Sequence, residues 1–365
     1  MKLKVAIIGT RGYPSYYGGF ETAVRHLAGY LSGLDLEVTV YSRKGHTHEE
    51  DPQRNLSVQV KYVPFVDSSK LSTLSHSLMS TLHLILKRPD AVIAMNVATG
   101  YWIPLCRMFR IPVILNVDGM EWERGKWSGF ARAIFRGGAL LSSKFSNVLV
   151  CDSVEIQKKW RELFGVQSVF IPYGSVEVDN TIPAPSLVDG KTVLWVARLV
   201  PENSINEFLT AAWLLPPEIK VVIVGQNTFD SETESKVLKL TELRRNSVWI
   251  KQISDDQLLH QLWKYAGVYF HGHSVGGTNP ALVQAMRCGA NILARDTIFN
   301  REVCADTVNY FELKPELIVN KIVKMLAEKS QENPRTQRAR VRAESEYSWE
   351  EICASYYRLI ISVVK

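Results

Sequence analysis

No two of the five cysteines stand close enough in the chain to make a C-x-x-C pair: Cys106, Cys151, Cys288, Cys304 and Cys353 are scattered and odd in number. That argues against a disulfide framework or a zinc knuckle, and five ordinary reduced thiols are expected. Long apolar runs are missing too. The opening stretch, Met1 to Gly9, reaches glycine after one strand length. It is too short for a signal-peptide core or a membrane span, so the expected compartment is the cytoplasm. There is no short repeat, low-complexity tract, basic run or nucleic-acid module, so nucleic acid is not an expected partner.

What is present is a chain of 365 residues, 46% hydrophobic and 22% charged, enough for two α/β domains with a core each. The net charge of +6 is unevenly spread: up to Pro172 there are 21 Lys and Arg against 14 Asp and Glu, and beyond it 22 against 23. A basic first half suits an anionic membrane surface or a phosphorylated substrate.

Short β-rich runs alternate with helical patterns, the βαβα order of doubly wound parallel sheets. Candidate strands of a first sheet are 4–8, 37–41, 58–63, 91–95, 112–117 and 147–151. Between the first two, Phe20, Ala23, Val24, Leu27, Ala28 and Leu31 fall on one helical face. The pattern breaks at Pro172-Tyr173-Gly174 and through Asn180 to Gly190, which reads as an interdomain linker. A second series follows at 192–196, 220–224, 247–250, 268–271 and 291–294. Ser348-Trp349-Glu350-Glu351 is a capping box opening a last helix with Ile352, Tyr356, Leu359 and Ile360 in a stripe. The expected domains are 1–172, joined by the helix 348–365, and 173–347.

Ligands of open α/β sheets bind beyond the carboxyl ends of the strands, which singles out three loops. Gly9 to Thr22 is framed by glycines but lacks the G-x-G-x-x-G spacing, which disfavours a Rossmann dehydrogenase or epimerase. Its Gly18-Gly19 pair either makes a structural turn or lets backbone amides approach an anion at a helix start. Arg198, just past the strand 192–196, can clamp a diphosphate with its fork of donors, unless it pairs with Glu202 instead. In His271 to Pro280, Asn279 is a good N-cap and Pro280 a good first helical residue, so Gly276, Gly277 and Thr278 present amides at a positive helix end. Gln284, one turn further on, is both donor and acceptor. His271 and His273 share a strand face but have no third ligand, so no metal site is expected. His46, His48, Tyr16 and Tyr17 read as loop or packing residues.

These residues carry a resemblance. Gly18-Gly19-Phe20-Glu21, Arg198-Leu199, the block Gly277 to Met286 and Trp349 resemble glycosyltransferase family 4, nearly end to end. Gly9-Thr10-Arg11-Gly12, Tyr17 to Glu21, Asp118 to Trp122, Pro201-Glu202-Asn203 and His273 to Pro280 look most like the bacterial rhamnosyltransferases of cell-surface polysaccharide synthesis. The resemblance implies the GT-B fold: two Rossmann-like doubly wound domains facing across a cleft, the last helix crossing back to the first. It implies a donor nucleotide on the second half, an acceptor on the first, retained anomeric configuration and no cofactor or divalent metal, which fits the absence of a D-x-D motif.

Site residues follow from it. Arg198 balances the leaving diphosphate, assisted by Gly277 and Thr278 amides. Asp118 and Glu121 follow a first-half strand and hold sugar hydroxyls, unless Arg124 and Lys126 neutralise them. The other donor contacts expected are Gly18, Gly19, Asn203, Gly276, Asn279 and Gln284. Arg11, Tyr17 and Glu21 are expected on the acceptor. Two departures stand out. Gly276 and Gln284 occupy the places of the family's paired glutamates, and Asn203 that of its lysine. Fewer contacts to a ribose suit a deoxyribose donor such as dTDP-rhamnose. The same losses fit a non-catalytic sugar-nucleotide-binding subunit, and a UDP- or GDP-sugar stays open. Aromatic and basic residues of Trp127 to Arg136 stand at helical spacing, able either to pack on the sheet or to lie on an anionic membrane near a polyprenyl-diphosphate-linked acceptor.

Overall fold

A computed structural model describes the chain except residues 1, 17, 53, 69–70, 118, 124–128, 180–182, 227–230, 254, 329–332 and 365. The chain divides into two compact units, Met1–Tyr173 with Trp349–Lys365, and Gly174–Ser348.

The first unit is built on β1 (Leu3–Ile8), β2 (Leu36–Ser42), β3 (Gln59–Tyr62), β4 (Ala91–Met95), β5 (Val113–Asn116), β6 (Val148–Cys151) and β7 (Val169–Phe170), in the order β3-β2-β1-β4-β5-β6-β7. Every pairing is parallel; Ile7, for example, lies beside Val40 on one side and Ile93 on the other. All five residues of β4 are buried, as a parallel strand covered on both faces by helices requires. The helix Gly19–Ser32 buries Ala23, Val24, Leu27, Ala28 and Leu31, the stripe its spacing predicts, while Phe20 is only partly covered. The last helix, Trp349–Val364, belongs to this unit. The Trp349 ring stacks on His26 at 4.5 Å, and the Tyr356 hydroxyl accepts from Asn116 Nδ2 at 2.8 Å.

The second unit repeats the plan with β8 (Thr192–Val196), β9 (Lys220–Val224), β10 (Ser247–Ile250), β11 (Val268–His271), β12 (Ile292–Arg295) and β13 (Asn309–Phe311), in the order β10-β9-β8-β11-β12-β13. Alternation along β8 splits its side chains between two cores. Val193 and Trp195 join Phe208, Phe270 and Phe311 on one face; Leu194 joins Tyr269, Leu282 and Met286 on the other.

The described residues around this stretch, 175–179 and 183–190, differ from a free linker. Val178 and Val188 are buried in the second core, Asp189 accepts from Gly267 N at 3.1 Å, and Ser175 bridges to Ser348. Prolines and lost periodicity resemble a linker in sequence, but the two valines carry the apolar surface that ties the segment down. The short edge strands β7 and β13 are absent from the sequence reading because two or three residues carry no periodicity.

Candidate functional site

Strand order reverses direction between β1 and β4 in the first sheet and between β8 and β11 in the second. Such switch points leave a crevice at the carboxyl edge, because the loops on either side depart to opposite faces. In the second unit the loops flanking it are those after β8 and β11, which contain Arg198 and the segment Gly272 to Asn279.

These two loops are sewn together. Asn203 Nδ2 donates to the carbonyl of Arg198 at 2.8 Å, and its Oδ1 meets His273 Nδ1 at 2.7 Å. Since an amide oxygen only accepts, His273 carries its proton on Nδ1. Both N and Oγ of Ser274 donate to the Glu202 carbonyl, at 3.0 and 2.8 Å, and Ser204 Oγ donates to the Gly272 carbonyl at 2.8 Å. Gly272 permits the approach: a Cβ there would lie 2.1 Å from the Asn203 carbonyl oxygen. Asn203 itself is buried. Its carboxamide therefore works inside the protein, setting the Arg198 backbone and the His273 ring.

The Arg198 side chain is exposed and makes no hydrogen bond or ion pair among the described residues, so the pairing with Glu202 does not form. Across the switch point, Asn279 caps the helix Pro280–Arg287, its Oδ1 accepting from Ala281 N at 3.0 Å and Leu282 N at 3.3 Å. Such a cap is worth about 1 kcal/mol, and it fixes where the helix's positive end begins. Gly276 has φ of 91°, the left-handed region, which explains glycine where the resembling family has a glutamate. Gly277 is partly exposed and Thr278 buried. Gln284 is engaged elsewhere: both ends of its carboxamide bond the backbone of Val176.

His271 is buried, and its ring is held neutral, well below its usual range, by burial and by His273. Its Nδ1 meets the Tyr269 hydroxyl at 3.1 Å. Among the described residues no group of three or more His, Cys, Asp or Glu is placed to hold a metal ion. The five cysteines are buried and unbridged, and burial pushes the Cys106, Cys151, Cys288 and Cys353 thiols up to about 12.

In the first unit the loop after β1 folds against the loop after β2. Arg43 N donates to the Arg11 carbonyl at 2.9 Å, and Arg11 Nη1 approaches His46 Nδ1 at 3.5 Å. Glu21, buried in the first turn of its helix, accepts from Arg11 N at 3.2 Å. Gly18 caps that helix through its backbone in extended conformation, and Gly19 begins it. Glu121 is 3% exposed in the turn Glu121–Glu123 beyond β5. Tyr17, Asp118, Arg124 and Lys126 lie outside the described residues.

Two family models match successive parts of this chain. Residues 180–343 match Glycosyl transferases group 1, and residues 2–176 match Domain of unknown function (DUF1972). The second unit carries a glycosyltransferase group 1 domain. Sucrose-phosphate synthase from Thermosynechococcus elongatus is similar at a TM-score of 0.81 and 15% identity, with 99% of each chain covered. Anabaena HepE, solved with UDP-glucose, is similar at 0.76 and 13% over 99% of this chain and 100% of that one. WaaG, a glycosyltransferase involved in lipopolysaccharide biosynthesis, gives 0.71 and 15% over 96% and 98%. At such identities the likeness is one of fold, and the fold is GT-B. No curated protein is a significant match in sequence.

Sequence reasoning picked Arg198 and the capped helix but passed over their coupling. Asn203 and His273 are 70 residues apart, brought together where the loops pack closely at Gly272 and are cross-linked by Ser204 and Ser274. Arg43 was passed over entirely, although its place one residue beyond a strand marks it as clearly as Arg198 is marked.

Proposed function

We propose that this chain is a glycosyltransferase that retains anomeric configuration and moves L-rhamnose from dTDP-rhamnose to a lipid-linked glycan in cell-surface polysaccharide synthesis. The observation that carries the donor side is Arg198, an exposed cation without a partner among the described residues, tied through Asn203 to the loop that leads into the Asn279-capped helix. Breaking the bond from the sugar to the diphosphate leaves negative charge on the leaving oxygens. A guanidinium fork, with the amides of Gly276, Gly277 and Thr278 at a helix start, meets that charge in place and needs no metal ion. The donor is a dTDP-sugar in this reading because Gln284 presents no carboxylate to a pair of ribose hydroxyls.

Asp118 and Glu121 hold sugar hydroxyls, and Arg11, Tyr17 and Glu21 take the acceptor on the first unit, with Gly18 and Gly19 lending amides to the donor. A membrane surface suits the helix Gly129–Phe145, whose exposed residues include Phe130, Arg132, Ala133, Arg136 and Leu140. Neighbouring helix Ile103–Met108 adds exposed Arg107 and Met108, followed by Phe109 and Arg110. Cations around apolar side chains are what an anionic leaflet binds. Among the described residues no helix is long and apolar enough to cross a membrane, so the association is peripheral.

The complexes of HepE with UDP and with UDP-glucose favour a second reading, a UDP-sugar donor. The test offers dTDP-rhamnose, UDP-glucose and GDP-mannose in turn with a polyprenyl-diphosphate-linked glycan. Mass spectrometry should find a product heavier by one deoxyhexose with dTDP-rhamnose alone. Transfer of a hexose instead would replace the rhamnose reading, and binding without transfer from any donor would favour the non-catalytic subunit.

A further inference from the structure

We propose that the first unit binds a phosphoryl group of the acceptor between Arg11 and Arg43, at the carboxyl ends of β1 and β2. Naming the ligand as the acceptor rests on the transferase reading; the oxyanion site itself rests on the residues that follow.

Arg43 is 5% exposed, yet no carboxylate lies within ion-pair distance of its guanidinium among the described residues. Its Nη1 and Nη2 reach only the hydroxyls of Ser72 at 3.4 Å and Thr73 at 3.1 Å, and its buried Nε has no partner. A buried cation held by two neutral hydroxyls is costly unless an anion completes it. The neighbouring charge makes the cost greater: burial, and then Arg11, lower Arg43 to about 10, while Glu21 and Asp67 act on it only from a distance.

A second cation stands beside the first, since the Arg43 N–H is bonded to the Arg11 carbonyl. Arg11 can only donate to His46 Nδ1, so the neutral His46 carries its proton on Nε2 and adds a neutral donor. Burial and the two arginines lower its pKa, in keeping with that state. Phe65 backs the group, its ring centroid 5.7 Å from that of His46 and 5.8 Å from Arg43 Cζ. Two guanidinium forks and an imidazole N–H suit the three oxygens of a phosphoryl group, and the carboxyl edge of a parallel sheet is where such a ligand sits. A glycosyl phosphate and the diphosphate of a polyprenyl-linked glycan share this chemistry.

Calorimetry on the full chain, with glucose 1-phosphate, a short polyprenyl-diphosphate sugar and neutral glucose as probes, tests it. One or both phosphorylated probes should bind and glucose should not; binding of the lipid-linked probe alone would assign the phosphoryl group to the lipid. Arg11→Gln and Arg43→Lys should each weaken binding by about tenfold or more, losing one charge-assisted fork while dTDP and UDP affinities stay as in the wild type. Arg43→Lys keeps the buried charge, and Arg11→Gln alters a half-buried side chain, so a cooperative melt is expected of both. Arg198→Ala should leave the phosphate affinity unchanged. Wild-type affinity in the folded first-unit variants, no binding of either phosphate by the wild type, or binding abolished by Arg198→Ala alone would overturn the site. Phosphate binding that depends on Arg11 and Arg43, without sugar transfer from any donor, would overturn the transferase reading and leave the oxyanion site standing.

Discussion

The carboxamide of Gln284 grips the backbone of Val176, Oε1 accepting from its N–H at 2.8 Å and Nε2 donating to its carbonyl at 3.2 Å. One side chain thus anchors the entry of the second unit to the helix Pro280–Arg287. Gln284→Glu, which restores the acid of the resembling family, removes the donor and sets a negative oxygen against the Val176 carbonyl. A loss of about 1 to 3 kcal/mol is expected, read as a lower urea midpoint. Unchanged stability with tighter UDP binding would mean that the side chain serves a ribose instead.

Arg198→Ala should lower turnover about a hundredfold, the usual loss when one donor to developing charge is removed. Because the side chain is exposed and without a partner among the described residues, the melting temperature should not move. Turnover close to wild type in a folded variant would remove Arg198 from the mechanism.

Chelation gives an independent check on how the leaving group is met. With Arg198 and helix amides supplying the positive potential, transfer should continue in EDTA. Activity lost in chelator and regained with magnesium or manganese would show that these groups are insufficient.

Stability should fall in mild acid, and His26 supplies one reason. Burial, with Arg25 beside it, lowers its pKa to about 4, against an unfolded value of 6.5. Between those limits the unfolded chain binds the extra proton, so this contribution is complete above pH 6.5 and declines as pH drops toward 4, by up to about 1.4 kcal/mol per unit. His76, lowered to about 4 by burial and then Arg43, acts in the same direction. His26→Phe keeps an aromatic ring against Trp349 and should flatten the slope of urea midpoints between pH 7 and 5. An unchanged slope would assign the acid sensitivity to other groups.

The sheets were legible because buried parallel strands such as 91–95 and 220–224 are continuous apolar runs between turn signals. Among the described residues eleven of the thirteen strands coincide with segments read from the sequence, and the two missed are short ones at the edges. Asn279 and Pro280 could be recognised as a helix start from residue type alone, since capping is local chemistry. The partners of Gln284, Asn203 and Arg43 could not. Val176 and Gln284 are 108 residues apart, and nothing in either residue specifies the other. Gly276 shows the same limit: its type suggests a turn, but that a glutamate would be strained there depends on the φ the loop adopts.

Trp349 on His26 and Tyr356 on Asn116 have a consequence for synthesis. A ribosome that has made residues 1–173 has produced both sheet and helices of the first unit, but the helix Trp349–Val364 that covers His26 and Asn116 is still 175 residues away. The second unit, continuous in sequence, emerges whole before that helix does. The first half of the chain therefore waits, with part of its apolar surface uncovered, until the whole second unit and that helix have been made.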